Sequence, residues 1–113
     1  MAQEVSDDAV KQRISKAKAY TFVMLKRTLA STPELGKRNQ IAHLKYLQKL
    51  KEEGKLPLYG PLTDNGEIRG ICIFNLSDLD AVKKLIEEDP HIKSGHLTYE
   101  LHPYFGIPGD GLE

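Results

Sequence analysis

Two stretches of the chain are apolar at odd and even positions alike: YTFVML from Tyr20 to Leu25, and Ile71 to Phe74 within IRGICIFN. A strand with one wet face alternates, whereas a strand covered on both faces does not. Each stretch therefore predicts a strand that needs packing on both sides. A third segment, GHLTYELHPY, alternates Leu97, Tyr99 and Leu101 against His96, Thr98, Glu100 and His102, which predicts a strand with one buried and one polar face. The short KLPLYG predicts a fourth, joined to the next strand by a turn through Thr63-Asp64-Asn65-Gly66, whose Asn-Gly is a hairpin signal.

Helical spacing fills the intervals. From about Leu35 to Glu53, Ile41, Leu44, Leu47 and Leu50 form an apolar stripe, and Gly54 is the expected stop. His43 falls about 70° from the centre of that stripe at 100° per residue, which predicts a half-buried place on its flank. A second helix carries Leu79, Val82, Leu85 and Ile86 inward, with Ser77 as its expected cap, Asp80 three residues on, and its end at Asp89-Pro90. Ahead of the first strand, residues 6–17 place Ser6, Asp7 and Asp8 where a cap and first-turn acids belong, so a short polar helix is expected.

The order is β-α-β-β-α-β after an extra N-terminal helix: an α+β, ferredoxin-like arrangement with both helices on one face of a four-stranded antiparallel sheet. Nothing in the chain remains to cover the other face, so a second copy is the economical cover and a homodimer through the sheet is expected. Residues 1–17 read as an N-terminal extension, 18–105 as the domain, and 106–113, rich in Gly and Pro, as a flexible tail.

At 113 residues there is room for one core, and 40% hydrophobic with 28% charged residues is an ordinary globular composition. Sixteen basic residues balance sixteen acidic ones, leaving no overall field to draw nucleic acid or an acidic membrane. Neither partner is expected. No apolar run is long enough to span a bilayer. The expected location is the cytoplasm; the alternative is an exported mature chain, with Met1 placed ahead of an Ala2-Gln3 left by signal cleavage. The single Cys72 excludes an internal disulfide and reads as a small buried hydrophobe.

Candidate chemistry centres on His43, Gly60-Pro61 and Asp89-Pro90. An imidazole held by a carboxylate can move a proton near neutral pH, because the acid fixes the tautomer and stabilises the imidazolium. Glu87, Glu88 and Asp89 crowd a helix end whose dipole favours cations, an unfavourable placement that suits an acid kept for a task. Gly60 would let a ligand approach the backbone, and Tyr59 offers a ring and a hydroxyl to a planar molecule. Bland readings stand beside each: a satisfied histidine on a helix flank, a solvated acidic terminus, a plain Gly-Pro turn, a core tyrosine. His91, His96 and His102 invite a metal, but His96 and His102 stand roughly 20 Å apart along one strand at about 3.3 Å per residue, so no metal is expected from them. No phosphate cradle or nucleophile elbow is present, and no cofactor is expected.

The ordered series Ala42-His43-Leu44, Glu53-Gly54-Lys55-Leu56, Gly60-Pro61, Gly70, Ala81, Asp89-Pro90, Gly95 and Pro103 resembles the YciI-like (YCII-related) family of the dimeric α+β barrel superfamily. The resemblance covers roughly residues 20–105. It implies a pocket in which His43 faces Asp89 as a catalytic pair; Tyr59, Gly60 and Pro61, read from the residues themselves, are the expected substrate-binding positions. It further implies a small organic, often aromatic, ligand and lyase or isomerase proton transfer without cofactor; the alternative function is a non-catalytic dimeric binding or regulatory module. The chain departs from the family's pattern in its N-terminal helix, in Tyr59 before Gly-Pro, and in His91 after Asp-Pro.

Overall fold

The computed structural model describes residues 4–113, so the reading of Met1-Ala2-Gln3 lies outside the described residues. Eight elements follow in order: α1 (Asp7–Ser15), β1 (Lys18–Arg27), α2 (Pro33–Glu52), β2 (Leu58–Pro61), β3 (Ile68–Phe74), α3 (Leu79–Glu87), α4 (Pro90–Lys93) and β4 (Leu97–Gly106). The strands form one antiparallel sheet in the order β2-β3-β1-β4. This is the expected α+β arrangement, with α1 as the added N-terminal helix and α4 as a turn of helix the sequence did not announce.

The inner sheet face, under α2 and α3, holds the core. Val23 and Leu25 of β1, Cys72 and Phe74 of β3, and Leu97 of β4 meet Leu47 and Leu50 of α2, Val82 and Ile86 of α3, and Leu56. Burial pushes the Cys72 thiol up to about 12, so it stays protonated and serves as packing. Thr21, fully buried in β1, donates to the Leu76 carbonyl at 2.7 Å, which satisfies its hydroxyl inside the core. The outer face carries Phe22, Met24, Ile71 and Ile73, all half-buried.

Turn chemistry fixes the connections. Gly54, at φ 78°, takes the left-handed position that ends α2, and Asn65, at φ 56°, takes it in the β2–β3 loop. The tail folds back far enough for Asp110 to accept from Arg13 of α1; that ion pair is exposed.

Three local expectations are corrected. Asp78, not Ser77, caps α3, accepting from Asp80 N at 3.0 Å and Ala81 N at 3.4 Å. Asp89 does not end α3, which stops at Glu87; it starts α4, accepting from His91 N at 2.9 Å with Pro90 in the first turn. The Asp-Pro pair read as a stop is equally a start, since aspartate favours the N-cap and proline the first helical position. On α2, Ile41 and Leu44 are 64% and 42% exposed, and the buried line is His43, Leu47 and Leu50. His43 is thus at the centre of the inward face, 8% exposed, rather than half-buried on its flank.

Candidate functional site

His43 comes from the middle of α2, and the acid opposite it comes from the junction of α3 and α4. Its Nδ1 lies 2.9 and 2.8 Å from the two carboxylate oxygens of Asp89, which is itself 2% exposed. Asp89 accepts only, so Nδ1 carries the proton and donates, and the Nε2 lone pair is left for the cavity that the ring lines. Oδ1 of the same carboxylate accepts the His91 backbone N–H. One buried acid therefore caps a helix and sets a tautomer. Its acidic neighbours turn elsewhere: Glu87 accepts from the Tyr99 hydroxyl at 3.0 Å, and Glu88 pairs with Lys93 at 2.9 Å.

The cavity beneath the middle of α2 has a volume of about 310 Å³, within the range of small-molecule sites. His43, Tyr59, Gly60 and Pro61 all line it. Gly60 pairs with Ile71, so a side chain there would point to the outer face, and it is the bare backbone of β2 that Gly60 contributes to the wall. Tyr59 is half-buried, with its ring against the core as well as the cavity. Asp89 is not in the wall; it stands behind His43.

Residues that sequence reasoning did not assign to the site complete the wall. His91 and His96, weighed only as metal ligands, extend a row of rings: His43 to His91 at 4.4 Å between centroids, tilted 38°, and His91 to His96 at 4.8 Å, tilted 46°. His91 Nε2 lies 2.9 Å from Gln40 Oε1 and donates to it, which leaves Nδ1 as a bare lone pair. Burial foremost, then the neighbouring His43 and His96, push His91 down to about 4 against the pull of Asp89. His96 is lowered as well, by burial first and then by Arg27, Arg69 and His43. The two orphaned buried side-chain atoms among the described residues are the Nδ1 atoms of these two rings. Among the described residues, no group of three or more His, Cys, Asp or Glu is arranged to hold a metal ion.

Two backbone features shape the approach. Gly36, in the first turns of α2, lies so close to His96 that a Cβ would stand 2.9 Å from its Nε2. Arg69 is skipped in the register between β1 and β3, where Leu25 faces Gly70 and Lys26 faces Ile68. Strict alternation would turn Arg69 to the outer face beside Ile71 and Ile73. The bulge re-aims it into the wall next to Gly70. Period-two reading cannot foresee this, because the extra residue shows only in the pairing.

A family model for the YCII-related domain matches residues 20–104. Among solved structures, the chain is similar to the 5-chloro-2-hydroxyhydroquinone dehydrochlorinase TftG of Burkholderia phenoliruptrix AC1100 in complex with 2,5-dihydroxybenzoquinone. That match has a TM-score of 0.63 at 24% identity over 75% of this chain and 92% of that one. Muconolactone isomerase matches with a TM-score of 0.57 at 14% identity, over 83% of this chain and 96% of that one. At these identities the likeness is one of fold. No curated protein matches the chain.

Proposed function

We propose that this chain, which belongs to the YCII-related domain family, is an enzyme that moves a proton on a small organic molecule without a cofactor, in a lyase or isomerase reaction. The observation that carries the reading is the buried hydrogen bond from His43 Nδ1 to Asp89, with the same ring lining an open cavity. His43 Nε2 takes a proton from carbon or oxygen of the bound molecule, and Asp89 stabilises the imidazolium so formed. The proton then returns at a second position, giving an isomer, or stays while a leaving group departs, giving elimination. Tyr59 offers its ring to a planar substrate, and Gly60 and Pro61 form the floor. The solved relative named as a dehydrochlorinase holds a quinone, and the muconolactone isomerase shares the fold; both names favour small cyclic substrates here. The functional unit is a homodimer closed through the outer sheet face.

The test offers chlorinated hydroquinones and small lactones to the protein and follows chloride release and product by NMR. His43→Gln is expected to lower turnover about 10²-fold or more. Asp89→Asn keeps a helix cap and is expected to lower kcat with little change in KM. Full turnover by a folded His43→Gln protein would overturn the mechanism.

A further inference from the structure

Next to the cavity at His43 lies a second hollow of about 540 Å³, lined by Arg27, Ser31, Thr32, Lys37, Asn65 and Arg69 among others; the two share the wall residues Gln40, Arg69, His96 and Leu97. Three cations stand in the combined wall and no carboxylate does, in a chain whose charges balance overall. Neither guanidinium forms an ion pair with a described residue. Arg27 reaches Asn65 Oδ1 at 3.3 Å and Arg69 reaches the Gly66 carbonyl at 3.4 Å, long contacts to neutral groups of one hairpin loop. The acids of that loop, Asp64 and Glu67, are exposed and lie outside the wall. Arg69 is there because the β-bulge turns it inward, and Arg27 because it ends β1 on the face of Leu25. Both fall within electrostatic reach of His96, whose proton affinity they lower.

We propose that Arg69 and Arg27 form a subsite for a carboxylate carried by the substrate, holding it at the mouth of the cavity while the opposite end of the molecule lies at His43. This rests on reading the His43 cavity as a substrate site, and it names the class: a small, one-ring or short-chain organic acid. Guanidinium favours a planar carboxylate through paired N–H donors. Two cations held by long contacts to neutral loop groups are positioned in advance, with no internal acid to displace.

Benzoate and benzamide, alike in shape and different in charge, are titrated into the full chain while the histidine ring signals are followed by NMR. Benzoate is expected to shift the His96 signals and to bind at least about tenfold more tightly than benzamide. Arg69→Gln is expected to lose that preference, Arg69→Lys to keep part of it, and Arg27→Gln to weaken benzoate alone; far-UV circular dichroism confirms that each variant is folded. Equal binding of the two probes, or a benzoate preference untouched in folded Arg69→Gln and Arg27→Gln, overturns the subsite. Phosphate displacing benzoate at equal concentration also overturns it, since that marks a general cationic patch. The readout is binding alone. A carboxylate preference without turnover on any acid therefore keeps the subsite and removes the enzyme reading, while turnover of neutral molecules only does the reverse.

Discussion

His91 shows how one side chain ties stability to pH. Folded, it is held neutral down to about 4, whereas an unfolded histidine takes its proton near 6.5. Its folded affinity for protons is the lower one, so the unfolded state binds more of them as pH falls, and stability is lost on acidification through that window. The groups facing it are His43 from α2, Asp89 at the start of α4, His96 before β4, and Gln40. His96 acts in the same direction. Urea unfolding is expected to show stability falling by up to roughly 3 kcal/mol between pH 6.5 and 4, and His91→Phe, which keeps a ring against His43, is expected to flatten most of that slope. An unchanged slope in the variant would assign the loss to other groups. At this scale the sequence announced His43 and Asp89 through residue type and resemblance, but not the row of rings. His91 lies forty-eight positions beyond His43, and only the fold brings them to 4.4 Å.

Among the elements, α2 departs furthest from its own pattern. Periodicity placed Ile41 and Leu44 in the core; Ile41 is exposed, a cavity lies beneath the middle of the helix with Leu44 at its edge, and a histidine takes the inward position. Hydrophobic spacing reports which side of a helix is apolar, and it is blind to a hollow left for something else. Strands were more legible, because the doubly apolar runs at Tyr20 to Leu25 and around Ile71 have one explanation, a central place in the sheet, and they hold it. Gly36 is the other departure. Alanine there should add about 1 kcal/mol by helix propensity, yet its Cβ would press on the His96 ring. Gly36→Ala is therefore expected to gain nothing in melting temperature and to shift the His96 ring signals in NMR. A full propensity gain with His96 unmoved would show that the ring yields freely.

For the whole molecule, the unfinished business is the outer sheet face. Phe22, Met24, Ile71 and Ile73 lie there half-covered, with His102 and Glu100 bonded to each other at 3.1 Å beside them. Pairing two such faces removes that apolar area from water, and a charge in its middle opposes it. Sedimentation is expected to find the wild-type chain dimeric and Met24→Glu monomeric with its helices intact; a dimer that survives the substitution places the contact elsewhere. The molecule also carries a record of what it must keep. Asp89 joins α2 to α4, so losing its side chain would loosen the fold and silence the imidazole in one step. Selection for folding alone would defend position 89, but it would accept asparagine, which caps a helix as well as aspartate and offers the same oxygen to Nδ1. The negative charge is the part that folding never asked for.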